Sequence, residues 1–129
     1  MLAGTHADGI EDVEVEVHPA LSATASDLLA ADGVLLGTPA NIGYMSGALK
    51  HFFDTIYYPT LEAKRGMPYG YWVHGNNDTG GANRAIESIV GALGWVRAAA
   101  PLLVTGQVDK HVREAAFELG GTVAAQLMG

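Results

Sequence analysis

The 129 residues include no cysteine. That removes disulfides, thiolate nucleophiles and Cys-ligated zinc or iron–sulfur centres, and makes the cytoplasm the expected compartment. Basic residues are scarce: seven Lys and Arg stand against fourteen Asp and Glu, for a net charge of −7. A chain of that balance cannot neutralise a run of phosphates, so nucleic acid is not an expected partner. No apolar run approaches the roughly 20 residues of a membrane span, and residues 1–10 carry neither a basic nor an apolar targeting segment. Catalytic signatures are missing too. The histidines His6, His18, His51, His74 and His111 have no H-E-x-x-H or other ligand spacing, and no G-x-S-x-G marks a nucleophile elbow. Neither a G-x-x-x-x-G-K-[ST] loop nor a G-x-G-x-x-G fingerprint occurs, so no metal site and no nucleoside triphosphate hydrolysis are expected.

What is present is apolar substance: 49% hydrophobic residues, enough at this length for one domain with one core. Val13, Val15 and Val17 alternate with Glu14 and Glu16, which predicts an edge strand over residues 13–17. Ser26 and Asp27 open a short helix through Leu28, Leu29 and Ala30, closed by Asp32 and Gly33. Residues 34–37 form a short apolar run stopped by Pro39, the pattern of a strand buried on both faces. Leu49, Phe52, Phe53 and Ile56 then recur at helical spacing behind Ser46, a candidate N-cap, giving a helix over residues 47–58. An aromatic run at 69–73 reads as a third strand, and Ile86, Ile89, Val90 and Leu93 as a helix ended by Gly94. Residues 96–104 read as a last strand, with Pro101 marking an edge or a bulge. Residues 108–127 read as a closing helix interrupted at Gly120 and Gly121. Strands alternating with helices imply an α/β fold with a parallel sheet covered on both faces.

Two loops at the strand ends are rich in small and polar residues, and parallel neighbours bring such loops to one rim, where α/β sheets bind ligands. In the first, residues 38–45, Thr38, Pro39 and Ala40 leave the strand, Asn41 offers donor and acceptor, and Ile42 and Gly43 turn the chain. Tyr44 and Met45 add aromatic and apolar surface. That set suits a flat heteroaromatic ligand with a carbonyl-bearing edge; the same residues also make a tight turn whose Tyr and Met plug the core. The second loop supplies Gly75, Asn76, Asn77, Asp78, Thr79 and Gly80, which either cradle a ligand or satisfy one another through Asx-turns. His74 at its start is the histidine to test as a proton donor, against the alternative of a packed ring. Arg84 is either a solvated charge or a contact for an anionic co-substrate.

The run G-T-P-x-x-x-G-x-M-S-G-x-L-K-x-F-x-D, from Gly37 to Asp54, closely resembles the flavodoxin-like FMN proteins. Within them it is most similar to the NAD(P)H:quinone oxidoreductases of the tryptophan-repressor-binding-protein type and to NADPH-dependent FMN reductases. The closing ELGGTVAAQLMG resembles the same family's C-terminus. The resemblance implies a three-layer α/β/α fold with strand order 2-1-3-4-5. It also implies FMN held by residues 38–45 on one side and 75–80 on the other, NADH or NADPH as electron donor, a small quinone-like acceptor, and a homo-oligomer. The alternatives are a flavodoxin-type electron carrier, whose acidic surface suits basic redox partners, and a flavodoxin-like fragment without flavin. The family opens with a strand and a phosphate-binding loop that find no counterpart here, residues 1–7 resembling the tail of its first helix. The expected sheet therefore lacks strand 1, and the single domain, residues 1–129, is short at its start relative to the family. A start assigned too far downstream accounts for this most simply.

Overall fold

In the computed structural model, which describes residues 1–128, two long parallel strands form the centre of the sheet. β1 (Val34–Asn41) pairs with β3 (Pro68–Gly75) from Val34↔Tyr69 to Pro39↔His74. The other edge of β3 is shared by β4 (Val96–Arg97) at its start and β5 (Leu102–Thr105) at its end. The edge strand expected over residues 96–104 is therefore split at 98–101, where Pro101 has no N–H to give to a ladder. β2 (Tyr44–Met45) folds back antiparallel on the end of β1.

The period of two sorts the side chains into layers. Leu36 of β1 and Tyr69, Tyr71 and Val73 of β3 are buried with Leu28, Phe53, Ile56, Ile86 and Val90 in one core. Each such side chain contributes about 1.5–3 kcal/mol by leaving water. Trp95 closes this core against Phe53 and Tyr69, with ring centroids 6.2 Å from each. On the opposite face a Cβ at Gly70 would meet Val123, Leu119 and Leu35, and one at Gly37 would meet the ring of Trp72. Helices thus cover both faces, as expected.

The helix ends follow local chemistry. α3 (Gly47–Thr60) begins where Ser46 Oγ accepts the Leu49 N–H at 3.1 Å, the cap read from the sequence. It runs two residues past the expected end, with Pro59 in its last turn. α4 (Gly80–Leu93) stops at Gly94, whose φ of +74° closes the last turn in the left-handed region. α2 (Ala25–Leu29) starts one residue before Ser26. Thr24 and Asp27 form a capping box there, each side chain accepting the other's N–H, at 3.2 and 2.9 Å.

Two expectations are corrected. Residues 13–17 do not form a strand. Val13 and Val15 are half-buried and Glu14 and Glu16 exposed, so the alternation is present, but no strand among the described residues pairs with the segment and Val17 is 69% exposed. Alternation decides which way side chains point; a ladder needs a neighbour. The second correction concerns Gly120 and Gly121, which do not interrupt α5 (Lys110–Gln126). They are the place where α1 (Leu2–Thr5) crosses it: a Cβ on Gly120 would stand 1.9 Å from the Met1 carbonyl oxygen, and one on Gly4 1.8 Å from that of Phe117. The glycines permit backbone contact between two helices while remaining helical.

A polar cluster fixes α4 to the sheet. The Tyr71 hydroxyl donates to Glu87 Oε1 at 2.7 Å, Tyr69 donates to Oε2 at 3.2 Å, and Arg97 Nη2 reaches Oε1 at 2.6 Å. Asn83 Oδ1 also accepts at the Tyr71 hydroxyl, so it and the Glu87 carboxylate share that one proton. Burial, reinforced by Glu87, pushes the Tyr71 phenol far above its ordinary value. For Glu87 burial acts upward, but the donors Tyr71, Arg97 and Tyr69 outweigh it and hold the carboxyl below its usual range. No helix among the described residues is long and apolar enough to cross a membrane.

Candidate functional site

The chain leaves β1 through a two-residue hairpin in which Ala40 faces Met45 and Asn41 faces Tyr44. Its central residues, Ile42 and Gly43, have φ of +49° and +72°. Such a turn matches the twist of the flanking strands and needs two left-handed residues. Glycine adopts that conformation freely, whereas a β-branched residue does so at a cost of about 1–2 kcal/mol. Ile42 nevertheless occupies it, fully exposed at the tip.

The base of the hairpin is rigid. Thr38 is 0% exposed; its hydroxyl donates to the Pro39 carbonyl and accepts the Ser46 N–H, both at 2.8 Å, so the strand exit is tied to the start of α3. Met45 is buried in the core and Ala40 packs against it. Of the eight candidates in this loop, Thr38, Ala40 and Met45 form the wall, while Pro39, Asn41, Ile42, Gly43 and Tyr44 are exposed on it.

The second loop meets the first directly. A Cβ on Gly81, in the first turn of α4, would lie 1.8 Å from the Gly43 carbonyl oxygen, and one on Gly75 would lie 3.0 Å from Ala40 Cβ. Gly75 and Thr79 are buried, Gly80 is half-buried, and Asn76, Asn77 and Asp78 are exposed. Asp78 Oδ1 accepts the Gly80 N–H at 2.8 Å, the local turn that the composition allowed, and Thr79 makes no side-chain cap. Arg84 folds back, its Nη1 3.1 Å from the position of a Gly80 Cβ, which puts a guanidinium at the rim.

His74 is the last residue but one of β3, and its Nε2 is bonded to the Gly106 carbonyl. A carbonyl only accepts, so Nε2 carries the hydrogen and the ring is held by the backbone. That contact reveals a third rim segment absent from the sequence reading, residues 105–109, which follows β5. Gly106, with φ of +83°, donates its N–H to the Gly75 carbonyl at 3.0 Å. Asp109 then caps α5 by accepting the Val112 N–H. The available signal was a glycine between a strand end and a capping aspartate. Away from the rim, Glu16, His18 and Asp27 gather their ligand-type atoms within 4.8 Å. His18 there stands between the exposed carboxylate of Glu16 and the half-buried one of Asp27, which already caps α2.

Parallel strands ending in a tight hairpin, a glycine-rich loop at a helix start and a third loop beside them define a flavodoxin-like α/β domain. Solved structures agree on the fold. The two-electron reduced flavodoxin of Megasphaera elsdenii matches with a TM-score of 0.77 at 22% identity, over 95% of this chain and 84% of that one. A flavodoxin, WrbA-like protein from Agrobacterium tumefaciens matches at 0.67 and 19%, over 78% and 69%. A curated flavodoxin of Aquifex aeolicus is 38% identical over 55 residues, which is 43% of this chain and only 30% of that protein's length. The model of the NADPH-dependent FMN reductase family matches residues 5–123, and the chain belongs to that family.

Proposed function

We propose that this chain is an FMN-dependent NAD(P)H oxidoreductase acting on a quinone or similar small acceptor, with the flavin seated on the rim between residues 38–45 and 75–80. The observation that carries the reading is the contact of Gly43 with Gly81, which joins the hairpin to the start of α4 in a member of an FMN reductase family. The exposed side chains fit one end of such a cofactor. Ile42 and Tyr44 present apolar and aromatic surface, and the exposed residues 42–43 and 76–78 carry backbone N–H and C=O groups for a ring edge. Arg84 stands where an anionic group of donor or cofactor would meet a cation.

FMN held there would supply the redox chemistry between reduced nicotinamide and the acceptor. The residues orient and shield. Thr38 and Met45 fix the base of the hairpin so that its tip is presented as a unit, Ile42 and Tyr44 exclude water from the face they cover, and His74 holds the neighbouring loop through Gly106.

Titration of the purified chain with FMN, followed by steady-state oxidation of NADH and NADPH with and without a quinone, tests the reading. Uptake of FMN with quinone-dependent turnover is expected. FMN uptake without nicotinamide oxidation would instead favour the electron carrier, for which the net charge of −7 suits docking to basic redox proteins. No uptake at all sinks both.

A further inference from the structure

Reduction of a flavin by a hydride adds two electrons and one proton, the proton at N5, and leaves one negative charge spread over N1 and the C2 carbonyl. Charge that the protein places near that edge therefore sets how easily the ring is reduced. This chain has little positive charge to place, with seven Lys and Arg against fourteen Asp and Glu. Lys50, near the start of α3, is paired with Asp54 at 2.5 Å, Arg97 with Glu87 and Lys110 with Glu114. Lys64 donates to the Ala31 carbonyl, and Arg65 lies against Gly94 at the far end of α4. Arg84 stands at the rim with no carboxylate within ion-pair reach among the described residues.

The guanidinium owes its place to a missing side chain. Side chains on a helix lean toward its N-terminus, so Arg84 reaches back one turn to residue 80. Its Nη1 lies 3.1 Å and its Cζ 3.9 Å from where a Gly80 Cβ would stand, so a side chain at residue 80 would displace it. The next residue, Gly81, meets the Gly43 carbonyl that joins the two loops. The cation is thereby laid against the residue beside that join. One anion is close by: Asp78 Oδ1 is also 3.1 Å from the Gly80 Cβ position, where it accepts the Gly80 N–H at 2.8 Å instead of pairing with Arg84.

We propose that Arg84 sets the reduction potential of the bound flavin: its guanidinium meets the N1–C2=O edge and holds the reduced, anionic ring more tightly than the oxidised, neutral one, with Asp78 acting in the opposite sense. The inference rests on the proposed seat of FMN between residues 38–45 and 75–80. A planar guanidinium that stays charged suits such an edge, because it can give two parallel hydrogen bonds to a delocalised anion. A ring that is easier to reduce also accepts a hydride from nicotinamide more readily.

Titration of the intact chain with oxidised and with dithionite-reduced FMN, together with the midpoint potential of the loaded protein, tests this. In Arg84→Gln the reduced ring is expected to bind about tenfold more weakly while the oxidised ring is nearly unaffected, which for a two-electron couple lowers the midpoint potential by about 30 mV. Arg84→Lys, which keeps the charge without the fork, is expected to fall between the two. Asp78→Asn is expected to raise the potential, and Arg113→Gln, which removes an equal charge from an exposed position on α5, to leave it unchanged. An unchanged potential in Arg84→Gln overturns the proposal. So does an equal loss of affinity for oxidised and reduced FMN; if riboflavin binding is then unaltered, the guanidinium is on the phosphate and not on the ring. Failure of the unaltered chain to take up FMN is a separate result, which removes the seat itself and overturns the proposed function along with this inference.

Discussion

The carbonyl oxygen of Gly43 occupies the place that a Cβ on Gly81 would need, 1.8 Å from its ideal position. The hairpin and the first turn of α4 are therefore locked together by the absence of one methyl group.

Gly81→Ala is expected to push the hairpin off α4, costing about 1–3 kcal/mol by overpacking and weakening FMN uptake about tenfold or more. Gly91 lies in the same helix with nothing within 4 Å of its Cβ position. Gly91→Ala should add about 0.5–1 kcal/mol by limiting the unfolded chain. Thermal melts with shifts of opposite sign are the expected pair; equal gains would dissolve the Gly43 contact.

Ile42 separates stability from binding. Asparagine tolerates the left-handed region that isoleucine resists, so Ile42→Asn is expected to stabilise the fold by up to about 1 kcal/mol. It should also weaken FMN uptake, because the exposed apolar tip is lost. Urea unfolding alongside an FMN titration checks both; tighter FMN binding in the variant would remove Ile42 from the ligand face.

At the crossing of α1 and α5 the sign of one substitution is diagnostic. Alanine in place of a free helical glycine gains about 1 kcal/mol. Gly120→Ala instead meets the Met1 carbonyl at 1.9 Å and is expected to lose about 1–3 kcal/mol, read as a lower Tm. A higher Tm would mean that the helices are not in backbone contact.

The Glu87 cluster makes stability depend on pH at both ends. The Glu87 carboxyl is held below its ordinary value of 4.5, so its contribution is present above about that pH and is lost as pH falls through the lowered value. Tyr71 is raised above 10.0, so its contribution is complete below that pH and is lost as pH rises beyond it. Melts from acid to alkaline pH should show a flatter acid limb in Glu87→Gln. An acid limb unchanged by the substitution would contradict the assignment.

The elements that local chemistry decides were legible in the sequence: Ser46 as a cap, Gly94 as a stop, and the spacing of Phe52, Phe53 and Ile56 as a buried helix face. The two misread segments depend on what lies beside them. The valines of residues 13–17 alternate as a strand's would, but pairing belongs to a neighbour. Gly120 and Gly121 have the composition of a break, and only the passage of α1 explains them as a crossing. The site divides in the same way. Both loops were visible as turn-rich strand exits, while residues 105–109 join the rim only because β5 pairs with the end of β3, bringing Gly106 to His74 and Gly75.

The two tryptophans lie on opposite faces of the sheet, Trp72 over Gly37 and Trp95 in the core against Phe53 and Tyr69. The protein therefore contains two intrinsic fluorophores with separate duties. In Trp95→Phe the remaining emission comes from the half-buried ring over Gly37, and in Trp72→Phe it comes from the packed interior. Changes on the Trp72 face of the sheet can thus be followed optically without being confused with loss of the core.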